Sequence, residues 1–274
     1  MPELPEVEII VQALRPCLSG LIPLKLVCKQ TKILRTPEIL PLALGYPIKD
    51  IMRKGKLIIF LAPPYVWLIH LKMTGQLWWQ PKTAPLPHYT HLLVSFAQTD
   101  YQLRYADLRQ FGYWQIVPEE EMKEVTFLKK LGPDALTITP SQLAKRLQKR
   151  HAPIKTLLLN QQCIAGLGNI YSDEALWLAK INPLTPASAL TKTQINRLAS
   201  SIRTVLKQGL KLGGTSIQSY IQPNGKRGNY QDYRLVYRRE NLPCLRCNTP
   251  IKRIKIGGRS SYLCPSCQDN GPTT

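Results

Sequence analysis

Pro2, Glu3 and Glu6 stand within the first six residues, and a small penultimate residue is the ordinary signal for removal of an initiator Met. With Met1 gone, Pro2 presents a free secondary amine. An α-amino group titrates near about 7.7–8.0, so an appreciable neutral fraction can attack a sugar C1′ at physiological pH. The iminium formed on proline has no N–H to lose, stays cationic and draws electrons for elimination. Glu3, next in sequence, can shuttle protons. The competing reading is an ordinary N-terminus in which Pro5 merely opens a helix.

A second group with chemistry in its spacing is Cys244-x2-Cys247-x16-Cys264-x2-Cys267, which has the separation of a four-thiolate zinc site on two knuckles. Softness and tetrahedral preference favour zinc, although iron also occupies such sites. Disulfides are the alternative, and an intracellular location disfavours them. With all four positions filled by protein, the metal would be structural and would shape a β-hairpin carrying Lys252, Arg253, Lys255 and Arg259 toward phosphates. Cys17, Cys28 and Cys163 are expected to be buried as small hydrophobes.

These groups need a scaffold, and 274 residues suffice for about two domains. Hydrophobic residues make up 44%, enough to exclude a disordered chain despite a formal charge of +20. Residues 1–130 carry 16 basic and 11 acidic side chains, net +5, and residues 131–274 carry 21 and 6, net +15. A polyanionic partner is implied. The most apolar stretch, Leu57 to Leu71, is broken by Pro63-Pro64 and reads as a hairpin, and acids near the N-terminus argue against a secretory signal. The expectation is an intracellular protein.

Val7, Ile10, Val11 and Leu14 recur at helical spacing after Pro5, with Ser19-Gly20 as the stop. From Leu24 to Val117 short apolar runs between turns predict a sandwich or barrel. Near residue 131 helical periodicity takes over, including a capping box from Thr191 to Gln194 and a stop at Gly213-Gly214. Cys163 to Asn169 forms a glycine-bearing connection between two helices. Asn169 would then begin the second helix, where backbone N–H groups receive phosphate or serve as an ordinary cap.

Met1-Pro2-Glu3-Leu4-Pro5-Glu6-Val7-Glu8, Arg53-Lys54-Gly55-Lys56, His70-Leu71-Lys72-Met73-Thr74-Gly75, Asp107-Leu108-Arg109-Gln110-Phe111-Gly112 and Ala165-Gly166-Leu167-Gly168-Asn169-Ile170-Tyr171-Ser172-Asp173-Glu174-Ala175-Leu176, together with the cysteine knuckles, resemble the bacterial formamidopyrimidine-DNA glycosylase family over the whole chain. The resemblance implies an α+β protein: an N-terminal helix and β-sandwich domain (1–130), a helix-two-turn-helix domain (131–223), and a loop with a four-cysteine zinc-finger hairpin (224–274). It implies excision of oxidised purines from double-stranded DNA, then β- and δ-elimination at the abasic site. Pro2 would form the Schiff base, Glu3 would protonate the sugar oxygen, Glu6 would support the amine, and Lys56 and Arg259 would serve the two eliminations. Met73, Arg109 and Phe111 would fill the gap left by the everted base, with ordinary core as the alternative for Met73 and Phe111. Tyr89, His91, Arg150, Lys155 and Asn169 match DNA-contacting positions, and Ser219 to Tyr230 matches a loop that closes over the damaged base.

Three residues depart from the pattern: Lys72 stands where glycine is common, Gln110 where a second basic residue is usual, and Tyr89, beside His88, where a His is frequent. One structural zinc ion, a monomeric state and a cytoplasmic, nucleoid-associated location complete the expectation. The rivals are an endonuclease VIII-type enzyme for oxidised pyrimidines and a non-catalytic zinc-finger DNA-binding protein.

Overall fold

The structure is a computed structural model and describes residues 1–217 and 219–268; the end of the polar tail after Cys267 lies outside the described residues. Helix α1 (Leu4–Leu18) opens on a reciprocal capping box between Glu3 and Glu6, with Pro in its first turn. Its stripe of Val7, Ile10, Val11 and Leu14 is buried, as the periodicity predicts. β1 (Pro23–Cys28) and a short α2 (Leu40–Ala43) lead into β2 (Asp50–Lys54), β3 (Leu57–Ala62), β4 (Tyr65–His70), β5 (Gly75–Pro81), β6 (Thr90–Phe96), β7 (Tyr101–Asp107) and β8 (Tyr113–Pro118).

These strands form two antiparallel four-stranded sheets, ordered β1-β6-β7-β5 and β2-β3-β4-β8. Both sheets keep open edges, so the architecture is a sandwich rather than a closed barrel. The β3–β4 hairpin turns at Pro63-Pro64, where the expected break in the apolar stretch lies. Ile58, Phe60, Trp67, Trp114 and Ile116 from one sheet and Leu26, Leu77, Leu92, Val94 and Leu103 from the other share one core with the α1 stripe.

After α3 (Thr126–Lys129) come α4 (Pro140–Leu147), α5 (Ile154–Leu159), α6 (Asn169–Leu178) and α7 (Lys192–Lys211), then β9 (Lys252–Ile256) and β10 (Arg259–Leu263), an antiparallel hairpin. The predicted capping box of α7 is present: Gln194 N donates to Thr191 Oγ1, and Thr191 N to Gln194 Oε1. No helix among the described residues is long and apolar enough to cross a membrane.

The chain divides into two compact units, Met1–Lys129 with Leu210–Gln231, and Lys130–Gly209 with the segment from Asp232 onward. The sequence reading splits Leu210–Gln231 between a second and a third domain, but this segment packs with the N-terminal unit. Turn residues mark where a chain bends, and do not reveal which surface it returns to. Cys17 is exposed and Cys28 half-buried, so of the three isolated cysteines only Cys163 is the buried apolar residue expected.

Candidate active site and nucleic-acid interface

In the N-terminal unit, Pro2, Glu3 and Glu6 are buried at the start of α1. Glu6 Oε2 accepts from Glu3 N at 2.8 Å and Oε1 from Thr215 N at 2.8 Å. One carboxylate therefore fixes the backbone beside Pro2 and ties it to the segment that follows α7. Burial, reinforced by the charge of Glu6, pushes the Tyr220 hydroxyl up, so that side chain stays protonated. Lys56, in the turn between β2 and β3, is also buried.

Burial and then the charges of Lys72, Lys56 and Arg35 pull His70 down to about 3. Its neutral ring accepts Lys72 N on Nδ1 at 3.0 Å, which leaves the proton on Nε2. Arg35 and Lys72 both lie over the Tyr113 ring, at 3.4 and 5.7 Å. Cations brought this close together favour an anionic ligand.

Met73 and Phe111 are 36% and 54% exposed, so neither belongs to the core. Arg109 joins them: its guanidinium lies 3.0 Å from Met73 Sδ and 4.6 Å from the Phe111 ring centroid. Tyr89 is exposed in a left-handed backbone conformation. His91 differs from expectation, because its Nε2 is held by Asp107 O at 2.9 Å and the ring is a strut. Gln110 accepts from Gln30 Nε2 at 3.0 Å, so this departure ties the loop to the protein where a cation would have faced outward.

Segment 219–230 is docked on β5. Gln76 Nε2 donates to Ser219 O, Ser219 Oγ to Met73 O at 3.2 Å, and Trp79 N to Pro223 O at 3.0 Å. A cavity of about 510 Å³ lies beside it, lined by Thr74, Gln76, Trp78, Tyr89, Asp107 and Ser219 among others.

In the second unit, α6 begins at Asn169, where the positive end of the helix dipole favours an anion. Asn169 Nδ2 donates to Ser260 O at 2.9 Å, which joins this turn to the residue beside exposed Arg259. Lys155 is 1% exposed, and its ammonium donates to Asn169 O at 2.8 Å and Asp173 Oδ1 at 2.7 Å. A cation placed in this way supports the turn from inside. Arg150 is exposed just beyond α4.

Two buried carboxylates, Asp173 and Glu174, stand in the motif that the sequence reading quotes but receive no role there. Asp173 also accepts from Ser261 Oγ and from Tyr262 N at 3.1 Å, while Glu174 takes the backbone N–H groups of Leu235, Val236 and Tyr237 at 2.7–2.9 Å. Their signal was two adjacent acids inside an apolar helix of a strongly basic half.

The four knuckle cysteines bring their Sγ atoms within 4.8 Å of one another. Cys247 lies 3.4 Å from Cys264 and 3.3 Å from Cys267, and Cys244 lies 3.9 Å from Cys267. Tetrahedral zinc holds thiolates about 2.3 Å from the metal and hence about 3.8 Å apart, so the set fits. Hydrogen bonding with Thr249 holds the Cys247 thiol down to about 6. The core under the hairpin is small, built on Trp177, Val236, Ile251 and Tyr262 with Cys244 and Cys264. These cysteines would hold one structural zinc ion, whose contribution is to close this fold.

Three family models match the chain: the formamidopyrimidine-DNA glycosylase N-terminal domain over residues 1–114, the formamidopyrimidine-DNA glycosylase H2TH domain over 131–221, and a zinc finger found in FPG and IleRS over 241–270. The formamidopyrimidine-DNA glycosylase of Pelotomaculum thermopropionicum is 42% identical, with 98% of this chain and 99% of that protein covered. That of Desulforamulus reducens is 41% identical at the same coverage. Among solved structures, a Lactococcus lactis FPG mutant in complex with a Fapy-dG-containing DNA superposes with TM-score 0.91 at 35% identity, covering 98% of this chain and 100% of that one. MutM in complex with carbocyclic 8-oxo-G-containing DNA gives 0.90 at 34% identity, with the same coverage. Matched along nearly its full length in sequence and in fold, the chain belongs to the formamidopyrimidine-DNA glycosylase family.

Proposed function

We propose that this protein is a base-excision DNA glycosylase that removes oxidised purines, 8-oxoguanine and formamidopyrimidines, from duplex DNA and then nicks the abasic strand by β- and δ-elimination. The observation that carries the reading is the buried start of α1, where Glu6 accepts from the backbone N–H of Glu3, next to Pro2, and from that of Thr215. Preorganisation of this kind places a nucleophile without cost at the moment of reaction.

In the proposed sequence the Pro2 amine bonds to C1′ as the glycosidic bond breaks and the base leaves. Glu3 delivers a proton to the ring oxygen, which opens the sugar to a cationic iminium. Loss of a C2′ proton expels the 3′ phosphate, and a second elimination expels the 5′ phosphate. Lys56 and Arg259 are assigned to protonate or steady the departing groups. Met73, Arg109 and Phe111 occupy the gap, with Arg109 hydrogen-bonding the orphaned cytosine. Tyr89, Arg150, Asn169 and Arg259 face DNA, while His91 and Lys155 act as supports.

On this reading residues 1–130 carry the chemistry, 131–223 grip DNA, and 224–274 supply the end of the lesion loop and the zinc hairpin. The protein works as a monomer on DNA in the bacterial cytoplasm, at the nucleoid. Borohydride trapping on an 8-oxoguanine:cytosine duplex tests the proposal. A covalent protein–DNA adduct mapping to Pro2 is expected, with much weaker trapping on a thymine-glycol duplex. Lesion-independent binding with no adduct, in protein shown by mass to lack Met1, would leave only the non-catalytic reading.

A further inference from the structure

Asp107, at the end of β7, is 1% exposed. Its carboxylate is saturated by uncharged donors from the surrounding loops and strand. Oδ1 accepts from Thr74 Oγ1 and from Arg109 N at 3.2 Å; Oδ2 accepts from Tyr105 OH at 3.0 Å and Gly112 N at 2.8 Å. Two bonds on each oxygen are about what a carboxylate can take. Thr74 follows Met73, Arg109 is itself a gap-filling residue, and Gly112 follows Phe111.

The close packing around Tyr105 follows the same plan. A Cβ at Gly112 would stand 1.8 Å from the Tyr105 hydroxyl, and one at Gly75 would stand 2.8 Å from it, so both loops close onto one oxygen. Thr74 Oγ1 also accepts Arg109 N at 3.0 Å and so bridges the two loops directly. On the backbone, Asp107 N donates to Tyr89 O at 3.1 Å, and Asp107 O holds His91.

We propose that Asp107 is a positioning residue: with Tyr105 and Thr74 it holds Met73, Arg109 and Phe111 in one register, so that base eversion and reading of the opposing base depend on an acid that touches neither. The proposal rests on the glycosylase reading for its consequence in catalysis, but its geometry is testable without substrate. An amide at position 107 cannot accept from all four donors, because its own N–H groups then face Gly112 N. Tyr105→Phe removes one donor, and Thr74→Val removes the bridge with little change of shape.

The experiment compares Asp107→Asn, Tyr105→Phe and Thr74→Val with the parental protein. Amide hydrogen exchange over 71–75 and 107–112 is expected to quicken in all three, with the remaining strands protected as before. Excision from an 8-oxoguanine:cytosine duplex falls on the order of 100-fold in Asp107→Asn, the scale on which misplacing a reacting partner costs rate. The preference for cytosine over adenine opposite the lesion flattens. Nicking of a single-stranded abasic oligonucleotide, which has no gap to fill, stays at the parental level.

Parental exchange and parental opposite-base preference in the variants would overturn the proposal. So would a parallel fall of every activity together with melting temperature in Thr74→Val, since that describes a merely structural role. If the parental protein excises nothing, the glycosylase reading fails and the exchange measurement still decides whether Asp107 sets the two loops.

Discussion

Glu3 sits between the amine and the helix it caps, and its burial leaves water a poor competitor for proton delivery. Glu3→Gln keeps the shape but has no acidic proton to give. Lesion binding is therefore expected to persist while single-turnover excision falls about 100-fold or more, the usual worth of a positioned acid or base; normal excision would remove Glu3 from the mechanism. His70 gives a pH prediction. Its folded value, about 3, lies below the 6.5 of an unperturbed imidazole. Between these values the unfolded chain binds a proton that the folded site refuses. This stabilisation is complete above about pH 6.5 and is lost as pH falls toward 3, on the order of a few kcal/mol. In paired melts from pH 7 to 4, His70→Gln should lose less stability than the parental protein, and an identical pH dependence would contradict the assignment. Chemistry of this kind is legible in residue types: amine, acid and thiolates are named by the sequence itself. The burial of Lys155 is not, because Lys155 and its partner Asp173 are eighteen residues apart on two different helices.

Elements were legible where one local signal sufficed. The stripe and caps of α1, the capping box of α7 and the Pro63-Pro64 hairpin all come from neighbours within a few residues. What escaped was the return of chain onto distant surface, as with Leu210–Gln231. The joint of α5, α6 and β10 is a further case. Lys155 and Asp173 form a buried pair at 2.7 Å, and Asp173 also takes Ser261 and Tyr262 from β10. Burial alone pushes the Asp173 carboxyl up, and the ammonium and two further donors oppose that push. Lys155→Met leaves this acid without its cation, at an expected cost of about 3–5 kcal/mol to the second unit. Chemical denaturation should report that loss, and Lys155→Met/Asp173→Asn should recover part of it. Because Asn169 and Ser260 ride on the same joint, DNA affinity should fall in the single variant and partly return in the double. A single variant as stable as the parental protein would show that the pair carries no such load.

At the scale of the molecule, the uneven charge is a statement about DNA. Net +15 falls in residues 131–274, and on the hairpin Lys252, Arg253, Lys255 and Arg259 are all exposed. Arg253 shares its charge with Glu240 at 3.7 Å, a half-exposed pair that salt will screen. The hairpin's own core is too small to hold these cations in place without the four cysteines drawn together. Zinc occupancy should therefore control an electrostatic quantity as well as a folding one. Binding of undamaged duplex weakens linearly in log salt, with a slope near 0.9 per phosphate neutralised. Titrations by anisotropy from 50 to 200 mM salt should give a shallower slope after chelation, or in Cys244→Ser, by about 0.9 for each contact the hairpin makes. Far-UV dichroism of the β-sandwich signal, followed in parallel, should stay near its zinc-replete value, because the N-terminal unit has its own core. Equal slopes with and without metal would mean that the hairpin cations do not grip phosphate, and the excess charge would then act through the helices alone.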